Sequence, residues 1–218
     1  MAKPKVDRSV YVLKLPFVDR AVYNTDMNTN SPIPTSIPAR ERILVTAHDL
    51  FYRQGVRATG IDRIIAESGV TKVTLYRHFP SKNDLILAYL DYRHQLWMTW
   101  FDAALTRHGN QIQSLVPALQ EWFERSDFRG CAFLNSVGEL AEALPAVLDI
   151  TRNHKQDMWQ AILQRASSDQ RPMLEPLQNV ITIAIDGAII HAQYGQQPTA
   201  SLTALQQILE RVLPAQEK

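Results

Sequence analysis

From residue 39 onward, apolar side chains recur with the spacing of helices. Ile43, Leu44, Ala47, Leu50 and Phe51 fall at i, i+1, i+4, i+7 and i+8, one face of a helix that Gly55 ends. Thr59 followed by Asp62 has the form of a capping box and predicts the start of a short second helix bearing Ile64 and Ile65, stopped by Gly69. Thr71 caps a third helix running to about Phe79. Ser81 with Asp84 caps a fourth, which continues to about Arg107. Further helices are predicted at about 111–126, 132–143, 145–167, 172–194 and 199–213, with Gly and Pro at most of the boundaries.

Residues 1–38 show no sustained period, and Asn24 to Pro38 is rich in Asn, Thr, Ser and Pro, the composition of a tail or linker. Ser9 to Val18 has strand-like composition, but Pro16 interrupts it and no second strand candidate exists to pair with it. Met27, just upstream of the first helix, is a candidate translation start. The expectation is an all-α chain: a flexible tail over 1–38, a three-helix unit over 39–86, and a helical bundle over 87–218 that continues from it.

Composition narrows the function. The chain has 218 residues, 45% of them hydrophobic, enough for a sizeable core, and no run of about 18 apolar residues that would span a membrane. No secretory signal pattern opens it, so it is expected in the cytoplasm without a membrane partner. A single cysteine, Cys131, excludes an internal disulfide and a cysteine zinc cluster. The six histidines are scattered, none at H-x-x-x-H spacing, so no metal is expected. There is no G-x-S-x-G elbow, G-x-G-x-x-G, Walker loop or H-E-x-x-H pair, which argues against an enzyme and against a cofactor. Net charge is +1, but residues 39–86 carry 8 basic against 5 acidic side chains while 87–218 carry 10 against 14. The positive excess therefore sits on the three-helix unit, a weak sign of nucleic-acid contact.

Two short helices joined at a glycine make a helix-turn-helix, whose second helix enters the major groove. Val70, Leu75 and Phe79 are spaced to anchor that second helix, which leaves Thr71, Lys72, Val73, Thr74, Arg77 and His78 on its outer faces. Hydroxyls and an imidazole at Thr71, Thr74, Tyr76 and His78 can donate to phosphate oxygens, and Lys72 and Lys82 can neutralise them. Lys72 can also reach a guanine edge, while Val73 can read only a thymine methyl. Each residue alone reads more readily as a solvated side chain; their grouping on one short helix favours DNA.

The stretch from Arg40 to Leu85, RERILVTAHDLFYRQGVRATGIDRIIAESGVTKVTLYRHFPSKNDL, resembles the DNA-binding domain of the TetR family of bacterial transcriptional regulators. The matching elements are Ile43-Leu44, the Ala-x-x-Leu-Phe of Ala47 to Phe51, Gly55, Thr59, Ile65-Ala66, Gly69-Val70-Thr71, Leu75-Tyr76, His78-Phe79, Ser81-Lys82 and Leu85. The resemblance implies a homodimer that binds a near-palindromic double-stranded operator, usually as a repressor, and lets go when a small-molecule effector enters a C-terminal ligand-binding and dimerisation domain. By that likeness Thr59, Thr71, Thr74, Tyr76, His78 and Lys82 contact phosphates, and Lys72 with Val73 probes base edges. Val73 stands where the family commonly has Gly or Ala, a departure that bears on operator preference.

Beyond the motif, Trp97, Trp100, Trp122, Phe133 and Trp159 give the middle helices a heavy aromatic load. Such residues fill cores more often than they line ligand sites, yet the resemblance implies an effector among these helices. With Asn135, Glu139 and His154 as polar partners they form the candidate ligand set; Glu139, one turn after Asn135, could instead bond to it. The last two helices carry broad apolar faces, and Ile181, Ile185, Ala188, Ile189, Leu205 and Leu209 are the expected dimer contacts of a four-helix interface. The alternative for these six is burial within one chain.

Overall fold

The computed structural model describes residues 36–195 and 198–212, all within one unit, Ile33–Lys218. Residues 1–35, with the strand-like stretch and Met27, lie outside the described residues. The described chain is helical throughout: α1 (Ala39–Gln54), α2 (Ile61–Ser68), α3 (Lys72–His78), α4 (Lys82–Arg107), α5 (Leu115–Phe123), α6 (Ala132–Leu140), α7 (Ala146–Leu163), α8 (Arg171–Leu174), α9 (Gln178–Tyr194) and α10 (Pro198–Val212).

The apolar stripe of α1 does what its spacing requires. Ile43, Leu44, Ala47, Leu50 and Phe51 are all buried, and Leu75 and Phe79 of the α3 segment close the same small core with Leu85 and Tyr89 from α4. Burying a Leu, Ile or Phe side chain is worth about 1.5–3 kcal/mol, so these anchors hold a seven-residue helix that could not persist alone. Because α4 runs unbroken through residue 86, the boundary expected there falls inside one rigid element shared by head and bundle. The bundle is built on it: α4 packs against α5, α6 and α7, α6 packs on α7, and α10 lies along α9 and reaches α5.

Three local expectations are corrected. The second helix starts at Ile61 with Gly60 as its N-cap and no side-chain cap, so Thr59 and Asp62 do not form a capping box. The helix expected over 111–126 is a 3-10 turn, Ile112–Ser114, followed by the shorter α5. The helix expected over 172–194 is broken: Pro172 and Pro176 each lack an N–H, and they start a one-turn helix and a 3-10 turn before α9 begins.

Candidate nucleic-acid interface and the cavity behind it

The turn between α2 and α3 is made by Gly69 in the left-handed region (φ +62°), where a side chain would be strained, and Val70 N–H donates to Ile65 O at 3.4 Å across it. Thr71 then caps α3. Its hydroxyl oxygen accepts from Thr74 N–H at 3.2 Å and lies 2.9 Å from the Thr74 hydroxyl, so the pair is preorganised at the start of the helix. With Leu75 fully buried, the helix is fixed in one rotation. That rotation turns Val73 outward, 79% exposed, with Lys72 and Tyr76 beside it and His78 half-buried at the far end. Lys72 Nζ is 4.0 Å from the fully accessible Asp62 carboxylate, a contact of little energetic consequence that leaves the ammonium free to move to a phosphate or base.

Two residues of the expected DNA-contact set are engaged elsewhere. Thr59 is completely buried, its hydroxyl donating to Gly55 O at 2.8 Å and lying 3.4 Å from Leu50 O. Its side chain ties off the carbonyls at the end of α1 and offers nothing to a phosphate. Lys82 is partly buried, with Nζ donating to Val56 O at 2.7 Å; burial pushes its pKa down and the nearby Glu139 carboxylate pushes it up.

The α1–α2 turn is also where the head meets the bundle. Gly55 has φ +88°, and the Glu139 carboxylate of α6 lies against it, accepting Arg57 N–H at 2.7 Å. Tyr52, at the end of α1, reaches across the joint: its hydroxyl accepts Arg129 N–H and donates to Gly130 O, both at 3.1 Å. Arg93 of α4 lies over the Tyr52 ring at 4.0 Å.

Behind that joint is an aromatic cavity of about 10 Å³, room for about one water. Trp97, Trp122, Phe133 and His154 line it, with Arg93 and Lys155 at its polar edge. His154 stacks on Phe133 at 3.7 Å and meets His94 Nδ1 at 3.1 Å; burial holds its imidazole well below the ordinary histidine pKa, so it is neutral. A second, open space of about 680 Å³ runs along α6 between the head and the bundle and is lined by Asn135 and Glu139 among others. The candidate ligand residues therefore divide: four meet at the closed cavity and two at the groove. Trp100 and Trp159 line neither. Trp100 donates its indole N–H to Glu121 at 3.3 Å and Trp159 is 1% exposed in the core.

The family profile described as bacterial regulatory proteins, tetR family, matches residues 43–89, the head and the start of α4. The HTH-type transcriptional activator FasR of Mycolicibacterium smegmatis is 33% identical over 85 residues, a match that spans 39% of this chain and 39% of FasR. The HTH-type transcriptional regulator YxaF of Bacillus subtilis is 24% identical over 78% of this chain and 93% of its own length. A TetR-family transcriptional regulator of Streptomyces coelicolor has a crystal structure that superposes with a TM-score of 0.66, at 32% identity, over 80% of this chain and 95% of that one. The chain belongs to the TetR family. It is a helix-turn-helix transcriptional regulator, and the α2–Gly69–α3 unit is its DNA-binding element.

Within this TetR-family chain the residues expected at a dimer interface are placed otherwise. Ile181, Ile185, Ala188, Ile189, Leu205 and Leu209 are all buried inside the single chain, none more than 6% exposed, and they hold α9 and α10 to each other and to the body. The face of α9 left open is the opposite one, with Val180, Ile183, Ile190 and Tyr194, and Ile208 is exposed on α10. Gly187 lies in that stripe with nothing within 4 Å of where its Cβ would stand. Sequence reasoning also missed Tyr52, Arg93 and Lys155. No local pattern marks them, because their partners are 78 residues away for Tyr52 and 31 for Lys155, which pairs with Asp186.

Proposed function

We propose that this regulator is a homodimeric repressor that sits on a near-palindromic operator and is released when a small molecule enters the aromatic cavity. The observation that carries the reading is that one short helix, α6, serves both places: Phe133 walls the cavity and Glu139 holds the turn that positions α2 and α3. A cavity of about 10 Å³ cannot take a ligand without moving its walls, and α6 is one of them. Ligand entry then favours a state in which the head is held differently, which is all that a population shift requires.

Dimerisation is supported by the apolar stripe on α9. Within the stretch Arg171–Tyr194 an eighteen-residue window has mean hydropathy 1.3, yet only 28% of it is buried in the chain. A second copy covering Ile183, Gly187, Ile190 and Tyr194 accounts for both figures, and Gly187 lets the helix backbones approach closely. A two-fold dimer presents two α3 helices, which must stand about 34–36 Å apart to enter successive major grooves. Such a protein acts in the cytoplasm. A second reading, activation, is favoured by the name of the FasR relative; where the operator lies relative to the promoter separates the two.

The test is to isolate the operator from genomic fragments bound by the pure protein, then to screen small molecules for release of the labelled operator. A compound that releases the parental protein but not a folded variant with a Phe133 substitution supports the reading. A ligand whose release is insensitive to Phe133 and Trp122 overturns it.

A further inference from the structure

We infer that the effector is a planar aromatic acid, its rings held by Trp97, Trp122 and Phe133 and its anionic oxygens taken by the Trp97 indole N–H and the Arg93 guanidinium. The inference rests on the effector reading of the cavity given above and adds the chemical class.

Its first support is an orphan donor. Trp97 lines the cavity, is only 6% exposed, and its Nε1–H is buried with no hydrogen-bond partner among the described residues. A buried donor left unmet is costly, and native proteins seldom keep one without a use. Water of bulk solvent does not reach it, but an acceptor carried in on a ligand would.

The second support is the charge around it. Two cations, Arg93 and Lys155, line the cavity, and among the described residues no carboxylate does. Lys155 is already neutralised by Asp186. Arg93 is not: among the described residues no carboxylate pairs with it, and its contacts are the face of Tyr52 and a 3.4 Å approach to His48 Nε2. Asp127, whose carboxyl feels the Arg93 charge, is held by both Arg125 Nε and Nη2, at 2.9 and 3.0 Å. Arg93 and Trp97 are one turn apart on α4, so they lie on the same face and can close on one oxygen pair. A guanidinium with free N–H groups beside a lone indole N–H selects a carboxylate, which satisfies both with charge-assisted bonds; a neutral aromatic satisfies at most the indole, and a cationic one is repelled.

The third support is the position of Arg93. It covers the ring of Tyr52, the residue whose hydroxyl ties α1 to the Arg129–Gly130 turn. An anion that draws Arg93 inward takes it off Tyr52, so filling the cavity and loosening the head become one event.

The experiment compares 2-naphthoate, 2-naphthamide and 2-naphthylmethylammonium, which share their rings and differ in charge, by calorimetric titration of the full chain. The inference expects the acid to bind at least about ten-fold tighter than the amide, the difference that one charge-assisted contact supplies. Arg93→Gln should bring that ratio close to one while leaving the amide unchanged, and Trp97→Phe should weaken acid and amide together. The parental ratio alone decides the matter should either variant fail to fold. Equal binding of acid and amide, or preference for the cation, overturns the acid class and leaves the effector cavity standing. Failure of all three to bind below about 1 mM overturns both.

Discussion

Replacing Ile183 by Arg should turn the protein into a folded monomer that no longer holds its operator. Ile183 is 71% exposed in the single chain, so the substitution removes almost nothing from the chain's own core. The proposed dimer would cover the same side chain, and burying an isoleucine is worth about 1.5–3 kcal/mol. A two-fold interface counts each residue twice, so the loss is about 3–6 kcal/mol before charge is considered. Two arginines buried in such an interface would add several kcal/mol of desolvation and repulsion. Together these weaken association by more than about a thousand-fold, enough to take a nanomolar dimer beyond the micromolar range. Ile185→Glu, two residues away, is the contrasting control: Ile185 is fully buried, and an unpaired carboxylate there should unfold a chain whose total stability is about 5–15 kcal/mol. Sedimentation or light scattering gives the oligomeric state, circular dichroism the helix content, and a labelled duplex the operator affinity. A helical Ile183→Arg protein that stays dimeric at micromolar concentration with parental operator affinity would refute the placement of the interface on this stripe.

Other outcomes follow from the same geometry. Thr59→Val should cost about 1–3 kcal/mol of stability by leaving buried carbonyls unmet, with the slope of log affinity against log salt unchanged, whereas Lys72→Ala should lower that slope by about 1. Val73→Gly should reorder the preference among operator variants, because it removes the most exposed apolar group of α3 and lets the backbone sit nearer the bases; an unchanged ranking removes Val73 from the reading set. Burial holds the imidazoles of His48 and His154 below the usual value of 6.5, so the unfolded chain takes up protons first as pH falls. Their contribution is complete above pH 6.5 and is lost progressively below it; Tm should be flat from about pH 8 to 7 and fall from about 6.5 downward, less steeply in His154→Gln.

The head was legible because its signals are local. Gly55, Gly69, Thr71 and Ser81 punctuate a span of some thirty residues, and each glycine or cap falls where the chain turns. Thr59 misled for the same reason: a hydroxyl at a helix start can cap forward or reach back, and with Gly60 adopting the cap conformation it bonds backward to Gly55 O. The face proposed for the dimer was not legible because α9 is apolar nearly all round. Periodicity finds its stripes but cannot say which one its own chain covers, and the buried set 181, 185, 188, 189 lies on the opposite face from the open set 183, 187, 190, 194. The aromatic load pointed to the middle helices, but the polar edge of the cavity depends on tertiary pairings that no spacing encodes, such as Lys155 with Asp186.

The most direct test of the central claim is selection of bound duplexes from random DNA by the full chain, followed by native mass measurement of the complex on the selected site. The account predicts an inverted repeat whose half-sites are centred about one helical turn, or a whole number of turns, apart and a complex with an even number of chains related by two-fold symmetry, both lost in Ile183→Arg. A selected site with a single half-element that one chain saturates, at an affinity that Ile183→Arg leaves intact, would contradict it.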